Sequence, residues 1–183
     1  MSDRPTSSLE VMILEPTVFS DERGAFFESY NAVAFNEATG FAGEFVQDNQ
    51  SRSVRGVVRA LHYQLPPHAQ GKLVRCVDGE VFDVAVDLRR SLPSFGSWTA
   101  EVLTADNRLQ LWVPPGFAHG FMALSETADV LYKTTSFYAP DAERTIRWDD
   151  PAIGIEWPDI GSEPILSGRD AAAPTLDHAE VFS

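Results

Sequence analysis

Histidine is the side chain best suited to moving protons near neutral pH, and this chain has four. His62 lies in Arg59-Ala60-Leu61-His62-Tyr63-Gln64, and His119 in Pro114-Pro115-Gly116-Phe117-Ala118-His119-Gly120-Phe121, where a rigid turn hands over to a strand. His68 and His178 sit in proline-rich or terminal stretches and read as ordinary surface residues. Two histidines framed by polar groups raise the question of a metal. A close histidine pair with a carboxylate on the same strand would be one way to begin a metal site. The second histidine of such a pair would fall at position 64, which is Gln64, and Pro66, Pro67, His68, Ala69 and Gln70 follow without a carboxylate. A full ligand set cannot be assembled, so no metal is expected. Proton transfer by the side chains alone remains.

The basic residues narrow the chemistry. Arg59 and Lys72 flank the His62 segment, and Arg23 lies between Asp21-Glu22 and Gly24. Arginine suits bidentate phosphate binding and lysine supplies a point charge. Two or three such residues near a histidine fit a diphosphate ligand beside an acid–base site. Tyr132 and Lys133 sit in the apolar run Val130–Thr134, and Tyr138, just beyond it, could stack on a ring. Asp170, in Ser167-Gly168-Arg169-Asp170, reads as surface when taken alone.

Composition excludes several other classes. The formal net charge is −13 over 183 residues, a field that repels nucleic-acid backbones. No apolar run approaches the roughly 20 residues of a membrane span. Met1 to Glu10 is polar, without a signal-like stretch, so the cytoplasm is the expected compartment. Cys76 is the single cysteine and reads as a small core residue in an alternating run.

These side chains need strands to hold them. Turn residues punctuate the chain at short intervals. The clearest pattern is Leu73–Val77 and Glu80–Leu88 around Asp78-Gly79, which predicts a hairpin with a type I′ turn. In the second run Phe82, Val84, Val86 and Leu88 make a wholly apolar face, while Val81, Asp83, Ala85 and Asp87 make one with carboxylates. Alternation separates the faces without saying which looks inward. In an extended strand Arg59 would lie on one face, with Ala60, His62 and Gln64 on the other. Further strands are expected at Val11–Leu14, Phe45–Ser53, Gly56–Tyr63, Trp98–Leu103, Gln110–Val113, Gly120–Ala123, Val130–Phe137 and Thr145–Trp148. Val33–Thr39 is the one expected helix, and Pro151–Ser183 an irregular segment wrapping back over the body. The prediction is one all-β domain over residues 1–183: a sandwich, jelly roll or closed barrel.

Taken together, the segments resemble the dTDP-4-dehydrorhamnose 3,5-epimerase family, metal-free cupins of deoxysugar biosynthesis. The matching pieces begin with Phe19-Ser20-Asp21-Glu22-Arg23-Gly24, Phe26-Phe27-Glu28 and Phe45-Val46-Gln47-Asp48-Asn49. They continue with Arg59–Gln64, Gln70–Val74, Gly79–Arg89, Pro114–Phe121, Tyr132-Lys133 and Trp148–Pro151, in order from about Ile13 to Asp170. The resemblance implies a cupin-type double-stranded β-helix, forming a homodimer and acting on a dTDP-linked 4-keto-6-deoxyhexose without a cofactor. It matches His62 to the base, Tyr132 to the acid, Asp170 to the carboxylate orienting His62, and Lys72 to the group stabilising the enolate. Arg59 would bind the diphosphate and Tyr138 would stack on thymine. Arg23, Glu28, Gln47, Asp48 and Asn49 match nucleotide- and sugar-binding positions, and His119, Glu143 and Arg169 match further ligand contacts.

Two residues depart from the pattern. Ala60 stands where the family usually has Gly, a methyl that would narrow the pocket, and Arg169 replaces a usual Lys. The Ala60 change keeps open an enzyme that inverts only C3 or only C5. The same fold also suits a non-catalytic nucleotide-sugar binder or a metal-dependent cupin oxygenase.

Overall fold

Residues 2–5 and 10–183 are described in the computed structural model. The strands run β1 Ser2–Pro5, β2 Met12–Glu15, β3 Val18–Asp21 and β4 Gly24–Phe27, followed by helix α1 Ala32–Thr39. Next come β5 Gln47–Val54, β6 Val58–Gln64, β7 Lys72–Asp78, β8 Glu80–Asp87 and β9 Trp98–Thr104. The last are β10 Gln110–Val113, β11 Phe117–Ala123, β12 Thr127–Thr134 and β13 Glu143–Thr145, then a short helix α2, Gly168–Ala171. The expected strand at Thr145–Trp148 thus lies earlier, and the hairpin pair β3 and β4 was not foreseen. No helix among the described residues is long and apolar enough to cross a membrane.

Two antiparallel sheets carry the fold. One has the order β1-β2-β10-β7-β12-β5 and the other β13-β6-β11-β8-β9. From β5 to β8, and again from β9 to β13, the chain alternates between them, as in a jelly roll. Alternation puts Val74, Cys76, Leu111, Val113 and Val130 of the first sheet against Val81, Ala85, Leu103, Phe117 and Phe121 of the second. Cys76 is buried in this layer, and burial pushes its thiol up to about 11, in keeping with a packing role.

The Lys72–Leu88 pattern forms both of its strands but no hairpin. β7 and β8 belong to different sheets, and only Gly79, at φ 76°, takes the positive φ that a type I′ turn needs at two positions. A Cβ there would lie 2.1 Å from the Thr127 carbonyl oxygen. The physical reason is packing: Val74 and Cys76 gain more by facing Val81 and Ala85 across the core than by pairing edge to edge.

The two faces of β8 now have addresses. Val81 and Ala85 look between the sheets, and fully buried Asp83 shares their side. Val84, Val86 and Leu88 look outward, where Ile153, Leu166, Leu176, Val181 and Phe182 cover them. The C-terminal wrap is therefore an apolar layer of its own. It is pinned by backbone bonds from Val58 N to Ile165 O (3.0 Å) and from Phe182 N to Leu88 O (3.2 Å). On the other sheet, α1 lays Phe35 over Leu14, Leu73 and Trp112. Its start is set by Asn31, whose side chain accepts from Val33 N and Ala34 N.

Candidate active site

β6 positions the central histidine through an irregularity. His62 pairs with His119 and Arg59 with Phe121, so three steps on β6 oppose two on β11. The resulting bulge includes a cis peptide bond between Ala60 and Leu61. Bulges re-aim side chains, and here Arg59, His62 and Gln64 all line one cavity of about 340 Å³. The expectation that Arg59 and His62 lie on opposite faces is corrected. Ala60 points the other way, buried with Val58, Leu61, Ala118 and Met122. Its methyl sits where it would meet a Cβ on Gly120 at 2.4 Å, so it does not narrow the pocket.

His62 Nε2 lies 2.6 Å from Asp170 Oδ1. Asp170 is buried at the start of α2, where Ser167 Oγ accepts its backbone N–H at 3.1 Å. Burial opposes its ionisation, but His62, Ser167 and Arg169 outweigh that and hold its carboxyl below the ordinary range. A carboxylate at Nε2 takes the N–H of a neutral imidazole and leaves Nδ1 as the basic nitrogen. Burial lowers the His62 pKa, and the Lys72 and Arg169 charges add to this; the Asp170 hydrogen bond and charge only partly offset them. His62 is thus neutral at pH 7 and competent as a base.

Lys72 enters the same cavity from β7, buried, with Nζ donating to the His62 carbonyl oxygen at 3.1 Å. Burial pulls its pKa down to about 8, against the charges of Asp83 and Glu143. Tyr132 comes from β12, in the opposite sheet to His62. Burial raises its pKa, outweighing the Arg59 charge, so the phenol keeps its proton. A neutral base and a protonated acid therefore reach one cavity from opposite sheets. Such a pair can remove a proton from one face of a carbon and return one to the other.

The rest of the rim is polar. Arg59 is braced by Ser53 Oγ at 3.1 Å, and Gln47 donates to Asn49 at 2.8 Å. Tyr138, largely exposed, donates its hydroxyl to Glu143 at 2.8 Å, and Arg169 closes an ion pair on that same carboxylate. His119 Nε2 faces both oxygens of Asp83, at 2.9 and 3.0 Å, and both residues are buried. Gln64 is fully engaged by backbone: it donates to His68 O and Phe137 O and accepts from Ala139 N. Among the described residues no group of three or more His, Cys, Asp or Glu side chains is placed to hold a metal.

This geometry has close counterparts. The sequence pattern described as dTDP-4-dehydrorhamnose 3,5-epimerase matches residues 5–178. The enzyme of that name from Salmonella typhimurium is 58% identical over 174 residues, covering 95% of this chain and 94% of its own length. The one from Pseudomonas aeruginosa is 57% identical, with 94% of each chain covered. The chain belongs to this family. A crystal structure of the Legionella pneumophila dTDP-6-deoxy-D-glucose-3,5-epimerase, in complex with dTDP-4-keto-L-rhamnose, superimposes with a TM-score of 0.93. It is 47% identical, with 97% of this chain and 93% of that one covered.

Set against the epimerase family, most of the expected site assembles. His62, Lys72, Tyr132, Gln47, Asn49, Arg59, His119, Tyr138, Glu143 and Arg169 line the cavity, and Asp170 backs His62. Three expected contacts lie elsewhere in the chain. Asp48 alternates with Gln47 and Asn49, so it projects from the far side of β5 and pairs with Lys133 at 3.0 Å. Arg23 sits at the tip of the β3–β4 hairpin, ion-paired with Asp21 at 2.5 Å, and Glu28 is exposed just after it. Sequence reasoning missed Ser51, Tyr63, Gln64, Gln70 and Phe121 as site residues, and all five also line the cavity. Period-two spacing from Asn49 and His119 was the available signal for Ser51 and Phe121; Gln70 lies in a loop and had none.

Proposed function

We propose that this protein epimerises dTDP-4-dehydro-6-deoxy-D-glucose at C3 and C5, giving dTDP-4-dehydro-L-rhamnose. The observation that carries the reading is the opposed pair: His62 from one sheet and Tyr132 from the other, in one cavity. Carbons 3 and 5 flank the C4 ketone, so loss of either proton gives an enolate. His62 Nδ1 takes the proton, and the imidazolium is stabilised by Asp170. The Lys72 ammonium meets the charge developing on the ketone oxygen. Tyr132 then returns a proton to the opposite face. Substrate and product have the same oxidation state, so the reaction itself requires no redox cofactor. Arg59 suits the diphosphate, and Tyr138, exposed at the rim, suits stacking on thymine. With the Ala60 methyl turned away from the cavity, the feature that favoured a single inversion is removed.

The functional unit in this reading is a homodimer. Arg23 and Glu28 match ligand-binding positions of the family but lie away from their own chain's cavity. Phe19 and Phe26 on the same hairpin are 63% and 73% exposed. A second copy, whose cavity the hairpin reaches, accounts for both facts.

Product NMR on the 4-keto-6-deoxyglucose nucleotide in deuterated water tests the reaction. Deuterium at C3 and C5 with inversion at both is expected, and at least a hundredfold loss in His62→Ala and Tyr132→Phe with folding intact. Exchange at the native rate in His62→Ala would remove it as the base.

A further inference from the structure

The loop that carries Tyr138 follows β12 and has no strand or helix of its own. Tyr138 is 55% exposed at the cavity rim, so much of its ring lacks packing to hold it. Glutamine side chains hold its backbone instead. Gln70 Nε2 donates to Ser136 O at 2.7 Å, and Gln64 Nε2 to Phe137 O at 3.2 Å. Gln47 Oε1 accepts from Tyr138 N at 3.0 Å, and Gln64 Oε1 from Ala139 N at 2.8 Å. The backbone from Ser136 to Ala139 is thus held at every residue by a glutamine, and Gln64 holds both neighbours of Tyr138. At the far end of the ring the hydroxyl donates to Glu143, which pairs with Gln64 across β13 and β6.

We propose that Gln64 is a positioning residue for nucleotide binding: it fixes the backbone on both sides of Tyr138, so that the exposed ring is placed to stack on the base before the ligand arrives. The assignment rests on the stacking role proposed above for Tyr138. The residue type fits the task. Gln64 is buried, and three backbone groups converge on its amide: the carbonyls of His68 and Phe137 and the N–H of Ala139. A primary amide supplies two N–H donors and an accepting oxygen from one neutral side chain. A carboxylate only accepts, an ammonium only donates, and a neutral imidazole does each once. Through its bond to His68 O, Gln64 also ties the Tyr138 loop to the turn in which His68 N donates to Leu65 O at 3.0 Å. A loop already ordered in the free protein loses little freedom on binding, so more of the stacking energy appears as affinity.

The test is a double-mutant cycle read as the Kd of dTDP by calorimetry. Tyr138→Ala removes the ring and should weaken binding roughly tenfold or more. Gln64→Met keeps the length and removes all three bonds. Its Kd should rise roughly five- to tenfold, with a larger effect on KM for the nucleotide sugar than on kcat. In the Tyr138→Ala background the same substitution should change Kd by less than about twofold. A merely structural role would act equally in both backgrounds, so equal effects overturn the assignment, as does a native Kd in Gln64→Met. If Gln64→Met does not fold, Gln64→Glu, which still accepts from Ala139 N but donates to neither carbonyl, is read in the same way. If neither folds, amide exchange in the native, ligand-free protein decides. Slow exchange at Tyr138 and Ala139 supports the assignment, and exchange that slows only when dTDP is added overturns it. Native affinity in Tyr138→Ala would refute the stacking role and the assignment together. A native enzyme that binds dTDP but exchanges no sugar protons would refute the reaction alone, and the dTDP cycle would still decide the role of Gln64.

Discussion

Replacing Asp170 by Asn isolates what a carboxylate contributes to His62. The native contact is 2.6 Å, between a buried carboxylate and a mostly buried ring, so it is charge-assisted and little screened. Asn brings two losses. Its amide can donate to Nε2, which places the imidazole proton on Nδ1, where the base must be. It also no longer stabilises the imidazolium that proton abstraction creates. In His–carboxylate pairs of this kind the combined loss is about 10²–10⁴ in kcat, or ~3–5.5 kcal/mol. Asp170 does not line the cavity, so KM should stay within about threefold. The pH profile gives a sharper signature. The base works when deprotonated, so kcat/KM rises with pH through the His62 pKa. Burial lowers that pKa first, and Asp170 is the one group raising it, by hydrogen bond and by charge. In Asp170→Ala the acid limb must therefore move to lower pH while the plateau falls. The assay is proton–deuterium exchange at C3 and C5, followed by NMR from pH 5 to pH 9. A plateau within fivefold of native, or an acid limb moving upward, would refute the dyad.

Two further substitutions test binding and architecture. Arg59→Lys keeps the charge but loses the planar fork, so KM should rise roughly tenfold with kcat little changed; initial-rate kinetics with equal KM values would remove Arg59 from the diphosphate site. Leu176→Ala opens a cavity under the C-terminal wrap, where Leu176 is buried against the outer face of the β8 sheet. It should cost about 2–4 kcal/mol, lowering Tm by ~5–15 °C in thermal unfolding, and an unchanged Tm would show that the wrap is not a cooperative part of the core.

The chemistry was more legible in the sequence than the geometry that assembles it. The two faces of β8 follow from alternation, but nothing local tells whether Asp78-Gly79 turns a strand back within a sheet or carries it across to the other. Long-range packing of Val74 and Cys76 on Val81 and Ala85 makes that choice. The same holds for Arg59. Simple alternation separates it from His62, and a bulge, which pairing with β11 defines, brings them together. Asp48 is the opposite case: alternation alone separates it from Gln47 and Asn49, and the structure follows alternation. Asp170 lies 108 residues from its partner in a segment without strand pattern, so no spacing rule connects the two. Only the family resemblance did.

That distance explains why an irregular tail belongs to the site. Asp170 can hold His62 only if the segment bearing it is placed to within a few tenths of an ångström, yet α2 has only four residues. Its position is set from both sides. Upstream, Ile165 bonds to Val58 and Gly56 beside β6. Downstream, Leu176 enters the apolar layer, and its backbone N–H is accepted by buried Asp150. At the helix itself, Arg169 pairs with Glu143 on the strand next to β6. The wholly apolar face of β8 is thus the reason the wrap packs where it does, and the wrap is the reason His62 has a carboxylate. A single hydrophobic pattern on one strand serves the core and the catalytic base together.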